Sequence, residues 1–446
     1  MSIRHTISLS DHFTTRRLLR YTLPTIVMMV FTSIYNVVDG LFVSNFAGKT
    51  PFAALNFIYP LLMIIGTVGF MTGTGGSALV AKILGEGDRP RAHRTFSLIV
   101  YFTIALGVTL GLLLFALLEP IARLMGAEGE ILHQALIYGR VLSLFLPAFI
   151  LQMMFQSFMV AADRPSLGLL FSLLSGGLNI LLDYLFIAVF GWGLAGAAWA
   201  TAISQVVGGV LPLLYFALPN GSLLRLGRTR CSGADLRQTC LNGSSEMATQ
   251  ISMSLVVMLY NAQLLRYIGE DGVAAFGVIG YIQFVFISIF LGYSIGSAPI
   301  VSYNHGAKRH EELRGVVRRS LKIIAVVAVV LTLAAELLSS PLSHLFVGYD
   351  EGLFELTRRA LSIYAVSFLL QGFSIYFSSM FTALNNGIVS AIISFSRTLI
   401  FECGAVLLIP VLVGIDGIWW SVSVAEIAAL ILCAIFFVRL QPRYHY

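Results

Sequence analysis

The chain has 446 residues, 57% hydrophobic and only 11% charged, with 28 Lys and Arg against 22 Asp and Glu for a net charge of +6; mean hydropathy is +0.87. Soluble domains carry about 25% charged residues, so a string of soluble domains, the ordinary expectation at this length, is excluded. A β-barrel is excluded too, because its strands alternate in segments of about ten residues, whereas the apolar runs at 98–118 and 323–338 are continuous.

What remains is an all-α polytopic membrane protein with room for about a dozen spans. The breaks between apolar runs place them near 18–46, 53–83, 95–118, 132–160, 166–190, 194–218, 238–267, 273–303, 317–339, 355–384, 388–413 and 417–438. The longest polar insert, 220–237, falls midway. This divides the chain into a tail (1–17), an N-lobe (18–219, spans 1–6), a linker (220–237), a C-lobe (238–438, spans 7–12) and a second tail (439–446). The polar start, with Asp11, Arg16 and Arg17, reads as a tail and not as a cleavable signal.

The cations sort by side. With the N-terminus inside, twenty-one Lys and Arg fall in the tails and the 2–3, 4–5, 6–7 and 8–9 loops, against six on the other side, with Arg397 inside a span. That asymmetry predicts both termini in the cytoplasm of a multi-pass plasma (inner) membrane protein. It also accounts for the basic balance without nucleic acid. Cys231, Cys240, Cys403 and Cys433 form no C-x-x-C pair, so neither a metal cluster nor a disulfide framework is expected.

Short motifs recur at a shift of about 221 residues. Tyr35-Asn36 returns as Tyr260-Asn261 with a small gap, Ala53-Ala54 as Ala274-Ala275, and Gly76-Ser77-Ala78 as Gly296-Ser297-Ala298. The loop at 85–89 matches 306–310, and Gly191…Gly196 matches Gly414…Gly417. Six spans on, the chain has the same orientation, so the halves are parallel repeats about an axis along the membrane normal. Two pseudo-symmetric six-helix bundles around a central cleft suit alternating access with substrate near the midplane.

Charges inside the membrane carry the chemistry, since an uncompensated carboxylate at the bilayer centre costs about 2.5–3.5 kcal/mol on insertion scales. Asp39 lies deep in the first span and Asp183 in the fifth. Tyr35 precedes Asp39 by four residues and Asn179 precedes Asp183 by four, so each pair shares a helix face. Thr201 in the sixth span adds a hydroxyl. These hard oxygens either hold Na⁺ or share a proton between the two carboxyls. The alternative, an Asp capping a broken helix or paired with a base, lacks a partner: no Lys or Arg lies within helical reach.

The second half does not repeat this set: Asn179, Asp183 and Thr201 meet Ile400, Gly404 and Val422 at the same shift. Glu246, with Gln250 four residues on, either lines a cavity that attracts cations or is a carboxylate favoured near a helix start. Glu402 is expected to pair with Arg397, and Glu336 and Glu426 to sit near interfaces. Pro24 removes a helix hydrogen bond and is a candidate bending point. The glycines at 66, 69, 73, 75 and 76 read as close helix packing, since no Gly-Lys-Ser/Thr follows for a phosphate loop. No catalytic triad or paired-His arrangement suggests an enzyme.

At Pro24…Tyr35-Asn-Val-Val-Asp39-Gly, Gly177-Leu-Asn179-Ile-Leu-Leu-Asp183 and Gly196-Ala-Ala-Trp-Ala-Thr201, the sequence resembles the multidrug and toxic compound extrusion (MATE) family. The resemblance spans nearly the whole chain. It implies a monomeric cation-coupled antiporter, driven by H⁺ or Na⁺ and needing no other cofactor, that exports amphipathic, often cationic, organic compounds. It places the coupling cation on Asp39, Asn179, Asp183 and Thr201, and cleft or gating roles on Pro24, Tyr35, Asn36, Glu246 and Gln250. Asn242-Gly-Ser-Ser-Glu246 lacks the proline often found before the seventh-span acid. Two rivals are a lipid-linked oligosaccharide flippase of the same superfamily, which would want several cations in the cleft, and a major-facilitator transporter, suggested loosely by Asp88-Arg89.

Overall fold

The structure, a computed structural model, describes residues 7–348 and 350–446; Arg4 of the expected tail and position 349 in the break before the tenth span lie outside them. Twelve helical runs follow in order: α1 Thr15–Ala47, α2 Lys49–Gly85, α3 Arg89–Leu124, α4 Gly129–Ala161, α5 Pro165–Val189, α6 Gly193–Ala217, α7 Gly233–Tyr267, α8 Glu270–Gly306, α9 His310–Val347, α10 as Glu351–Ala365 and Phe368–Ala383, α11 Gly387–Val413 and α12 Asp416–Tyr444. The two parts of α10 meet at 48°. The expected order of spans is the observed one, and the protein is an all-helical, multi-pass membrane protein.

The helices outrun the apolar windows because capping side chains extend them into polar sequence. Asp88 accepts from the Arg91 N–H at 3.0 Å and starts α3 at Arg89 instead of 95. Ser232 caps α7 through the Asp235 N–H at 3.3 Å, five residues before the expected start. α9 likewise runs from 310 to 347 where 317–339 is expected, with no side chain capping its start.

Ten helices are long and apolar enough to cross a membrane, and the bent α10 makes an eleventh. Their outward residues, such as Leu112, Val326, Leu337 and Val411, are more than half exposed, as lipid-facing side chains are. α7 is the exception in composition. It turns Gln238, Asn242, Ser245 and Glu246 toward α2 and α11, where Asn242 Nδ2 donates to Asn385 Oδ1 at 2.7 Å. Polar residues shielded from lipid inside the protein in this way are tolerated at membrane depth.

The internal repeat is written in the backbone. Left-handed residues occur at Gly48 and Gly269, at Gly87 and Lys308, and at Asp163 and Asn385, each pair 221 or 222 positions apart. Helices α2 and α8 cross reciprocally. A Cβ on Gly85 would meet the Tyr303 carbonyl oxygen at 2.0 Å, and one on Gly306 would meet the Lys82 carbonyl oxygen at 2.0 Å. Only glycine allows backbones that close.

Helices α1–α6 pack into one bundle and α7–α12 into another, joined through α1–α8, α2–α7 and α2–α8. The cross-lobe hydrogen bonds cluster at the end carrying the basic 2–3 and 8–9 loops. Ser302 Oγ donates to the Ala78 carbonyl at 2.8 Å, Asn385 Nδ2 to the same oxygen at 3.3 Å, and Thr95 Oγ1 to Asp235 Oδ2 at 3.1 Å.

Candidate functional site

The N-lobe site begins with a close helix approach. At Gly176 on α5 a Cβ would lie 2.5 Å from Phe31 Cε1 and 2.7 Å from Tyr35 Cδ1 of α1. Asn179 and Asp183, one and two turns further along α5, are thereby carried alongside Asp39. Both acids precede a change of helix type: α1 is π-helical over Val43–Ala47 and α5 over Tyr184–Val189, and the two segments touch. Such widened turns recur at functional sites. Nothing in the local sequence announced them.

The carboxyl groups of Asp39 and Asp183 lie side by side. Asp183 is fully buried, and Asn179 is 2% exposed. Asp39 Oδ1, both Asp183 oxygens, Thr201 Oγ1, Tyr138 OH and Gln205 Oε1 are buried with no hydrogen-bond partner among the described residues. Buried polar atoms are normally paired. A set of orphans that are all oxygens is a cage for a hard cation or for protons. Two adjacent carboxylates in a low-dielectric interior are also not both left charged without a cation or proton between them.

Tyr35, Asn36, Asp39, Asn179 and Thr201 line one cavity, together with Tyr59, Tyr138 and Gln205; Asp183 is not in its lining but neighbours Asp39. It encloses about 40 Å³. One water needs roughly 10–15 Å³ on the same measure, so the space has room for a few waters or a partly hydrated ion. Asn36 is held by its Nδ2 bond to the Thr32 carbonyl at 2.8 Å. Behind the site Gln152 Nε2 donates to Ser175 Oγ at 3.2 Å, which donates to the Ser204 carbonyl at 2.7 Å, tying α4, α5 and α6 together. Tyr59, Tyr138 and Gln205 escaped sequence reading because none lies within a helical turn of Asp39 or Asp183 along the chain.

Pro24, Glu246 and Gln250 do not line this cavity. Pro24 lies inside a continuous α1, near its start. Glu246 and Gln250 are on α7 in the other lobe, with Glu246 beside Arg397.

The C-lobe corrects two expectations. Arg397 pairs with Glu426 of α12, Nε to Oε1 at 2.6 Å, and not with Glu402. Glu426 is 3% exposed inside the bundle and not at an interface. Glu402 lies close to both, and a third π-helical turn, Ser396–Glu402 of α11, carries Arg397 and Glu402. Glu336 is bonded to Ser362 Oγ of α10.

Comparison with known proteins decides the family. The MatE family pattern matches twice, at residues 24–185 and again at 245–404, the two matches starting 221 residues apart. The chain belongs to the MatE family. Its members are transporters, and the double match is the internal repeat seen from outside. Among curated relatives, the multidrug export protein MepA of Staphylococcus aureus (strain N315) is 25% identical over 414 residues, covering 92% of this chain and 90% of the relative. MepA of Staphylococcus haemolyticus (strain JCSC1435) is 24% identical over 438 residues, covering 96% and 94%. An outward-facing structure of a multidrug resistance MATE transporter of the MOP superfamily superposes with a TM-score of 0.92 at 23% identity, over 99% of both chains. A MOP superfamily transporter from Pyrococcus furiosus superposes at 0.90 with 24% identity, over 99% of both. At those identities the structures speak to the fold.

Proposed function

We propose that the protein is a multidrug efflux transporter that exchanges a cation, Na⁺ or H⁺, for amphipathic and often cationic organic compounds by alternating access. The exchange centre is Asp39 and Asp183 with Asn179 and Thr201. The observation that carries this reading is the set of buried oxygens without partners. Two lobes at 18–219 and 238–438 rock about the α2–α8 crossing. The twenty-one cations on one side assign the basic end to the cytoplasm. The cross-lobe bonds gathered at that end close the described arrangement on the basic side.

In this mechanism a cation entering from outside neutralises the Asp39–Asp183 pair and changes which arrangement of the lobes is preferred. The ion must bind the two arrangements with different affinity, since equal binding shifts nothing. Each elementary charge moved across 100 mV contributes about 2.3 kcal/mol. The flippase alternative wants free cations in the cleft. The one embedded Arg of the second half, Arg397, is already paired to Glu426.

The test is efflux of a panel of dye cations from proteoliposomes with Na⁺ and pH gradients imposed separately. Asp39→Asn and Asp183→Asn are expected to abolish gradient-driven efflux while inserting normally. Wild-type rates in either variant would end this assignment.

A further inference from the structure

The first described residues cross from one lobe to the other. Residues 7–14 precede α1 of the N-lobe, yet their anchors lie on the C-lobe. Leu9 and Phe13 are fully buried in a core shared with Leu313, Val316 and Val317 of α9. Glu312 of α9 receives the Phe13 N–H on Oε1 at 2.8 Å and contacts His12 Nδ1 through Oε2 at 2.6 Å. Arg309 donates from NH1 to the Ser10 carbonyl at 2.7 Å.

The same segment is fixed to the N-lobe. Thr14 caps α1 by accepting from the Arg17 N–H. Phe13 meets Tyr21 edge-on at 5.7 Å, and the Tyr21 hydroxyl donates to the Val160 carbonyl at 3.0 Å and Asp163 Oδ1 at 3.1 Å in the α4–α5 turn. The contacts therefore bridge α9 to the α4–α5 end of the other bundle, where the lobes meet.

We infer that residues 7–14 form a latch that holds the basic end closed, and that the bonds from Glu312 and Arg309 must break before the protein opens toward the cytoplasm. The inference rests on the alternating-access reading above. Its physical content is that Glu312 is a charged acceptor only 15% exposed, so its bond to a backbone N–H is charge-assisted and little screened. The buried Phe13 seals the same contact. Any motion that separates α9 from the α4–α5 turn tears the strap from one side.

The test uses the full chain with the four natural cysteines replaced by serine and Ala78→Cys placed at the seam. Ala78 is 2% exposed and its carbonyl accepts both cross-lobe bonds from Ser302 and Asn385. Maleimide labelling in nanodiscs reads opening of that end. Glu312→Ala, which removes both contacts of the carboxylate, is expected to raise the labelling rate about tenfold, equivalent to about 1.4 kcal/mol. Glu312→Gln and Arg309→Gln are expected to give smaller rises. Unchanged labelling in Glu312→Ala and Arg309→Gln overturns the latch. If Glu312→Ala proves unfolded by its melting curve, Arg309→Gln alone decides. Faster labelling in the variants, with no dependence on Na⁺ or pH in any chain, leaves the latch standing and counts against the ion-exchange reading.

Discussion

Removing Arg397 should damage the protein far more than removing the partner it touches. The side chains are 17% exposed for Arg397 and 3% for Glu426, with Nε and Oε1 2.6 Å apart. Breaking a buried ion pair from one side costs about 3–5 kcal/mol because the survivor is left charged without compensation. Here the survivors differ. In Glu426→Gln the guanidinium keeps Glu402 and Glu246 as neighbours, so the loss falls to that of one charged hydrogen bond, about 1.5–3 kcal/mol. In Arg397→Met the buried Glu426 carboxylate is orphaned beside Glu402, and the cost stands at the upper end. The double variant Arg397→Met/Glu426→Gln removes the orphan and should recover about 2 kcal/mol relative to Arg397→Met, because substitutions at contacting residues do not add. Equilibrium denaturation of the purified protein in mixed micelles measures all four corners of the cycle. Glu426→Gln as damaging as Arg397→Met, or a double variant no better than Arg397→Met, would refute the claim that one guanidinium serves several carboxylates.

Other perturbations separate stability from exchange. Thr201→Val deletes an orphaned buried hydroxyl, so melting should hold or rise by the equivalent of about 1 kcal/mol while gradient-driven efflux falls; unchanged transport would remove Thr201 from the site. Gly176→Val drives side-chain atoms into Phe31 and Tyr35 and should cost about 1–3 kcal/mol by overpacking, with loss of transport as α5 moves off α1. In the α4–α5 turn, burial pushes the Asp163 carboxyl up. The folded protein therefore holds that proton at a pH where the unfolded chain has lost it, and this contribution to stability, complete below the ordinary aspartate value, disappears as pH rises through the raised one. Thermal melts from pH 3 to 8 should show this fall in the wild type and a flatter profile in Asp163→Asn.

How far the sequence could be read depended on the range of each signal. Hydropathy is local, so the twelve spans emerged in order, while their ends did not, because caps such as Asp88 and Ser232 extend helices into polar stretches. Asp39 and Asp183 stood out because a charge in lipid is costly wherever its partner lies. Partners themselves were hidden when they were distant. Arg397 was assigned to Glu402, five residues away, because helical spacing is visible in one dimension, but Glu426, 29 residues on, needed α12 folded against α11. The latch was hidden for the same reason. Leu9 and Phe13 sit among polar residues in what reads as a tail, and only the position of α9 shows that they are core.

The two lobes have matching backbones and unlike charges, and that difference favours the N-lobe as the proposed exchange centre. The shift of 221 that pairs Gly85 with Gly306 in one crossing also pairs Asn179, Asp183 and Thr201 with Ile400, Gly404 and Val422. In the C-lobe the buried acids come with a resident cation: Arg397 is fixed by a direct bond to Glu426 and lies beside Glu402 and Glu246. A guanidinium cannot lose its charge at any physiological pH, so its neighbours are compensated in every state of the transport cycle. Among the described residues Asp39 and Asp183 have no such neighbour, and six oxygen atoms of the N-lobe site go without partners. On the proposed reading, compensation there comes from an ion that arrives and leaves, which is the property an exchanger needs and a permanent arginine removes. Arg397→Met should then do more than destabilise: it should make C-lobe melting sensitive to Na⁺ or pH where the wild-type lobe is indifferent. Insensitivity of that variant to both ions would mean that geometry, and not the absence of a built-in charge, confines exchange to the first bundle.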